Sequence, residues 1–136
     1  MPTKRIIVAD DESHMTFILS FKLRQVGIDV ATASDGEEAY ALACAQQPDL
    51  IVADFQMPRM SGLEMATQLR QNPKTAQIPV LMVTARGHRI DEAELAKTNI
   101  RQVLAKPFSA RELLNWIEKI LGPISEQNGG CELDAA

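Results

Sequence analysis

Short apolar runs rich in valine and isoleucine recur along this chain, with stretches of helix length between them. The runs are Ile6–Ala9, Ile28–Ala31, Leu50–Ala53, Val80–Val83 and Val103–Ala105. Brief runs of this composition, bounded by polar or breaking residues, read as strands; the first, third and fourth read as buried on both faces. The first intervening stretch, Ser13–Val26, carries Met15, Ile18, Leu19, Leu23 and Val26 at helical spacing, and Gly27 stands where a helix would stop. Later helix starts carry a capping-box pattern, an acceptor followed three residues on by glutamate: Asp35/Glu38, Ser61/Glu64, Asp91/Glu94 and Ser109/Glu112. The alternation predicts an α/β domain with a five-stranded parallel sheet, right-handed crossovers and helices on both faces. The beat, about twenty-two to twenty-nine residues, overlaps that of leucine-rich repeats, but the repeated leucine and asparagine consensus is missing.

With 136 residues, the chain has material for one domain, expected over 1–121, with 122–136 as a polar, flexible tail containing Gly129-Gly130. A hydrophobic share of 46% and a charged share of 24% exclude wholesale disorder. The net charge of −4 argues against non-specific binding to nucleic acid or anionic membranes. The N-terminal segment offers only four apolar residues before an acidic cluster, too few for a signal peptide or a span. Cys44 and Cys131, far apart in sequence, give neither a disulfide framework nor a zinc pattern. A cytoplasmic protein is expected.

The residues that end the strands carry the chemistry. The first run ends in Asp10-Asp11-Glu12, the third in Asp54, the fourth in Thr84 and the fifth in Lys106-Pro107. In an open parallel sheet these ends lie on one edge, where ligands bind. A single aspartate past a strand is more often a turn former or cap than a catalyst; the combination at four strand ends points to a shared site. Three carboxylates repel one another unless a cation joins them. Hard oxygen ligands with few protein contributions suit Mg²⁺. Asp54, alone at the end of its run, is the best candidate nucleophile for a covalent aspartyl phosphate. Asp10 and Asp11 read as metal ligands, one acting through water. Thr84 and Lys106 would stabilise charge on the phosphoryl oxygens.

In this order and spacing, Ile-Ile-Val-Ala-Asp10-Asp11-Glu, Asp54-Phe-Gln-Met-Pro58 with Ser61-Gly62-Leu63, Val-Thr84-Ala85 and Lys106-Pro107-Phe108 resemble the CheY-like response-regulator receiver domains of bacterial two-component signalling. The likeness covers roughly Lys4 to Leu121. It implies a flavodoxin-like sheet of order 2-1-3-4-5, which comes with the resemblance and not from the residue pattern. It also implies that Asp54 accepts a phosphoryl group from a histidine kinase, a phosphotransfer protein or a small phosphodonor. Mg²⁺ would be held by Asp11, Asp54 and the main-chain carbonyl of Gln56, with Asp10 acting through water. Thr84 and Lys106 would contact the phosphoryl group, and Ala85 would leave it room. A shift of Thr84 would propagate to the face made by the fourth helix, fifth strand and fifth helix, which a downstream protein or a second copy would read. Such a domain is a signalling module and not an enzyme acting on other molecules, although it assists its own phosphorylation and dephosphorylation.

Three features depart from that family pattern. Val103 stands where the family usually has a switch tyrosine or phenylalanine. Thr98-Asn99-Ile100 replaces a glycine at the end of the fourth helix, with Asn99 able to serve as a left-handed cap. Gln56 and Arg86 occupy positions that tune water access to the phosphoryl group, and their length is expected to slow hydrolysis. On the fifth helix, Leu113, Leu114, Ile117, Ile120 and Leu121 form an apolar stripe, from whose centre Trp116 lies roughly 110° away. Trp116 is therefore either a half-buried flank residue or a partner contact.

A binding scaffold that keeps this fold without phosphorylation is the principal alternative; Val103 favours it, and the complete set Asp10, Asp11, Asp54, Thr84 and Lys106 opposes it. A haloacid-dehalogenase-type phosphatase would want a second aspartate at Gln56. Binding of FMN would need a hydroxyl- and glycine-rich first loop, and no glycine-rich nucleotide motif occurs. His14 and His88 are isolated and read as neither ligands nor phosphohistidines. No output domain is legible after Leu121, so a single-domain regulator is expected, with a fragment of a longer chain as the equal alternative.

Overall fold

The computed structural model describes residues 4–84, 91–106 and 109–122. Five strands, β1 Arg5–Ala9, β2 Asp29–Ala33, β3 Leu50–Asp54, β4 Val80–Thr84 and β5 Ile100–Ala105, alternate with five helices. The helices are α1 Ser13–Gln25, α2 Gly36–Gln46, α3 Gly62–Gln71, α4 Glu92–Leu95 and α5 Ala110–Leu121. The strands form one parallel sheet of order β2-β1-β3-β4-β5. The expected flavodoxin-like (βα)5 fold is therefore present. Ala85, Arg86, His88, Pro107, Phe108, Cys131 and the tail from residue 123 onward lie outside the described residues.

Side chains alternate across the sheet and feed two cores. Ile6, Val8, Leu50, Val52, Leu81 and Val83 pack with Leu19 and Leu23 of α1 and Leu113, Leu114 and Ile117 of α5. Ile7, Ile51, Val80 and Met82 pack on the other face with Ala39 and Ala43 of α2 and Met65, Ala66 and Leu69 of α3. Covering both faces explains why β3 and β4 are buried along their whole length and read as unbroken apolar runs.

The capping residues act much as their chemistry dictates. At α3 the box is complete: the Ser61 side chain accepts from the Glu64 N–H, and the Glu64 carboxylate accepts from the Ser61 N–H. Asp35 and Ser109 accept from the third residue of their helices, as expected. The reciprocal bond differs at α2, where Glu38 accepts from Ser34. Asp91 accepts from Ala93 instead of Glu94. Ser61→Ala is expected to cost about 1 kcal/mol in chemical denaturation, because an orphaned helix N–H loses its acceptor.

Two sequence expectations are corrected. The fourth helix is a single turn, closed by Thr98, whose hydroxyl donates to the Leu95 carbonyl at 2.8 Å. Asn99 does not take the left-handed cap conformation; its amide donates to the Ile78 carbonyl, and its own carbonyl accepts from the Val80 N–H at 3.0 Å. The chain has already entered β5 at Ile100, three residues before the apolar run begins, with a register shift opposite Val80/Leu81. The second correction concerns α1. Its buried face is Thr16, Leu19, Ser20 and Leu23. Met15 and Val26 pack at the margin of the core as expected, but Ile18 is exposed beside Phe17 at 70% and Phe21 at 54%.

Candidate functional site

Parallel register brings the strand ends to one edge. Ala9 of β1 lies opposite Ala53 of β3, and Asp54 opposite Val83 of β4. Thr84 lies opposite Ala105 of β5, and the Lys106 N–H donates to the Thr84 carbonyl at 2.8 Å. Asp10, Asp11, Asp54, Thr84 and Lys106 therefore all stand where the four central and flanking strands finish.

The carboxylates form a compact cluster. One oxygen each from Asp10, Asp11 and Asp54 lies within 4.8 Å of the others. Asp10 and Asp54 are buried, whereas Asp11 is exposed. Oδ1 of Asp10 accepts from the Glu12 N–H at 2.9 Å, and Oδ1 of Asp54 accepts from the Gln56 N–H at 3.3 Å. The Lys106 ammonium donates to Oδ2 of Asp54 at 3.1 Å and pairs with Asp10 at 3.6 Å and Glu12 at 3.9 Å. A cleft of about 210 Å³ opens beside the cluster, lined by Asp10, Asp11, Ser13, Thr16, Ser34 and Glu38 among others.

The electrostatics follow from this crowding. Burial pushes the Asp10 carboxyl up from 3.8 to about 6; the Glu12 N–H opposes the shift, the neighbouring Asp54 charge adds to it, and Lys106 offsets part. For Lys106, burial pulls the pKa down, but the hydrogen bond to Asp54 and the fields of Asp10, Asp54 and Glu12 outweigh it, so the net shift is upward. One ammonium thus faces three carboxylates, Asp10, Glu12 and Asp54, with Asp11 completing the acidic cluster. A hard divalent cation fits the remaining demand: the donors are all oxygens, they converge, and burial makes the charge on one of them costly to hold alone.

Other sequence-selected residues lie apart from this cluster. Gln56 is exposed and meets the cluster through its main chain. Val103 is half-buried and packs with the α2/α3-side core. Trp116 is half-buried against the α1/α5-side core, with the Lys119 ammonium 4.5 Å from its ring centroid, a cation–π arrangement. Sequence reasoning passed over the reach of Glu12 to Lys106, and over the pair between Arg59 and Asp35 at 3.0 Å. The first could have been read from the unbroken acidic run; the second joins residues 24 positions apart with no local signal.

Residues 6–118 match the response regulator receiver domain family, and the chain belongs to it. It is 40% identical over 118 residues to the alkaline phosphatase synthesis transcriptional regulatory protein PhoP of Bacillus subtilis strain 168, covering 87% of this chain and 48% of that protein. It is 37% identical over 117 residues to the DNA-binding dual master transcriptional regulator RpaA of a Synechocystis species, covering 86% and 48%. The chain thus spans about half the length of these curated relatives. Among solved structures, chemotaxis protein CheY4 of Vibrio cholerae is similar with a TM-score of 0.81 and 29% identity, covering 88% of this chain and all (100%) of that one. The receiver domain of sensor histidine kinase PA1611 from Pseudomonas aeruginosa PAO1, solved with magnesium in its active site cleft, shares the fold with a TM-score of 0.80 and 24% identity, covering 90% and 100%. The chain is a CheY-like receiver domain of the two-component response-regulator family, in which phosphorylation and Mg²⁺ are typical. No described helix is long and apolar enough to cross a membrane.

Proposed function

We propose that this receiver domain is a phosphorylation-dependent switch in which Asp54 takes the phosphoryl group. The observation that carries this reading is the meeting of Asp10, Asp11 and Asp54 within 4.8 Å, with Lys106 donating to Asp54 at 3.1 Å. Asp11, Asp54 and the main-chain carbonyl of Gln56 would hold Mg²⁺, with Asp10 binding through water. Bound there, Mg²⁺ supplies positive charge for the phosphoryl oxygens and relieves the repulsion among the carboxylates.

The chain's own residues do the rest. A carboxylate oxygen of Asp54 attacks phosphorus in line, forming the aspartyl phosphate while the donor leaves with the bonding pair. The Lys106 ammonium, already on Asp54, moves its hydrogen bond to a phosphoryl oxygen. The Thr84 hydroxyl at the neighbouring strand end supports a second oxygen. The donor is a histidine kinase, a phosphotransfer protein or a small acyl phosphate. Exposed Phe17, Ile18 and Phe21 on the helix that leaves the acidic corner give a protein donor apolar surface to bury. The altered state is read by a protein partner or a second copy at the α4–β5–α5 face, where β5 is an edge strand and Trp116 sits at the core margin. In this reading the domain transmits a signal and does not turn over a substrate.

Incubation with Mg²⁺ and a small acyl phosphate, followed by intact mass measurement, tests the reading. A gain of one phosphoryl group that chelation prevents is expected. An unchanged mass favours the alternative, a binding scaffold that keeps the fold without the chemistry.

A further inference from the structure

The loop from Phe55 to Ser61 carries the Gln56 carbonyl, so its placement decides whether that carbonyl stands at the acidic cluster. Its two ends are fixed by main-chain bonds: the Phe55 N–H donates to Val83 at 2.7 Å, and the Gly62 N–H donates to Phe55 at 2.9 Å. Between them, among the described residues, one polar contact ties 56–60 to an element other than β3 and α3. That contact is the Arg59 guanidinium on Oδ2 of Asp35, at 3.0 Å.

Asp35 is well suited to anchor the loop. Its side chain is 11% exposed and its other oxygen caps α2, accepting from the Glu38 N–H at 2.8 Å. The carboxylate thus cannot swing with the loop without uncapping a helix. The next residue, Gly36, leaves no space: a β-carbon there would strike the carbonyl oxygen of Met60. The loop backbone therefore lies directly on the start of α2. Arg59 itself has φ 66°, a left-handed conformation that is strained for a side-chain-bearing residue and that glycine would adopt freely. An arginine here gives up that freedom and gains the pair with Asp35. At 63% exposure the guanidinium adds little to global stability; its effect falls on the loop.

We propose that Arg59 is a positioning residue: by pairing with the Asp35 cap it holds loop 56–60 on the N-terminus of α2 and thereby sets the Gln56 carbonyl. The inference rests on the metal reading above for its consequence, but the ordering of the loop does not. The test uses the full chain with Arg59→Ala, Asp35→Asn, the double variant and Arg59→Lys. Asparagine caps helices as well as aspartate, so Asp35→Asn removes the charge and keeps the cap. Titration calorimetry with Mg²⁺ is expected to show each of the first two variants binding about 2–5-fold more weakly, the size of effect an exposed ion pair carries. The double variant should be no weaker than the worse single one, and Arg59→Lys should recover most of the loss. Without metal, the amides of Gln56, Met57, Arg59 and Met60 should exchange hydrogen about 5-fold faster in Arg59→Ala while amides of β3 keep the parent rate. Unchanged Mg²⁺ affinity together with unchanged exchange overturns the proposal, as does an additive double variant. If the parent chain itself binds no Mg²⁺, the metal reading fails, and the exchange rates alone decide: parent-like exchange in Arg59→Ala overturns the clamp, and faster exchange supports it.

Discussion

Asp54→Asn is expected to abolish phosphoryl uptake from a small acyl phosphate while leaving the fold intact. An amide oxygen is a poor nucleophile and cannot form a stable mixed anhydride, so the loss is chemical. The structural consequences nearly cancel. The asparagine Oδ1 still accepts from the Gln56 N–H, and Lys106 keeps Asp10 and Glu12 as partners. The amide Nδ2 then faces the Lys106 ammonium, donor against donor, so the charge-assisted bond is lost, but the repulsion between Asp54 and Asp10 disappears with the charge. The net change in unfolding free energy should stay within about 1 kcal/mol of the parent. Intact mass after acyl phosphate treatment, beside urea denaturation of the same samples, checks both halves. A phosphoryl gain retained in Asp54→Asn would move the acceptor elsewhere, first to the exposed Asp11. A variant that unfolds would mean that Asp54 is needed for structure before chemistry.

The site was legible in the sequence because the strands that deliver it are central. β1, β3 and β4 are paired on both sides and covered on both faces, so their residues are apolar until the strand ends. The first polar residue then marks the edge of the sheet. Asp10, Asp54 and Thr84 stand out for that reason. The edge strands lack this contrast. β2 runs Asp29–Ala33, one residue later at its start and two at its end than its apolar run, since Thr32 faces solvent and carries no hydrophobic signal. β5 gains Ile100, Arg101 and Gln102, where polar Arg101 and Gln102 separate Ile100 from the apolar run, with one extra residue accommodated by the register shift.

The orientation of α1 was not legible either. Met15, Phe17, Ile18, Leu19, Phe21 and Leu23 ring much of the helix, so periodicity selects no unique face. The sheet chooses Thr16, Leu19, Ser20 and Leu23, burying a serine hydroxyl with no partner among the described residues and leaving two phenylalanines outside. Burying polar Ser20 while exposing Phe17 and Phe21 is a poor bargain for folding alone.

The acidic corner sets function against stability in a way that can be measured at Asp10. Burial of its carboxyl, whose side chain is only 6% exposed, pushes the pKa up from 3.8 to about 6 in the folded protein. The folded state therefore binds more protons than the unfolded one between those values, and metal-free stability should fall as pH rises through about 4 to 6 and level off above. The ionised native carboxylate costs about 3 kcal/mol by that difference. Asp10→Asn removes the charge, and its Oδ1 can still accept from the Glu12 N–H. At pH 7.5 and without metal, the variant is expected to be about 2–3 kcal/mol more stable than the parent, with the advantage gone below pH 4. Lys106 gives a slope of the same sign in a different window: its raised pKa stabilises the fold below its ordinary value of 10.5, and that contribution is lost as pH climbs past it. Mg²⁺ should reverse the ranking, because the parent regains in metal binding what it loses as an empty cluster, and its affinity should rise between about pH 5 and 7 as the proton leaves Asp10. Urea titrations of both proteins across pH 4–8, with and without Mg²⁺, separate these effects. A variant no more stable than the parent at pH 7.5, or one with the parent's full slope between pH 4 and 6, would show that Asp10 carries no burial penalty, and that the acidic corner has no electrostatic reason to recruit a cation.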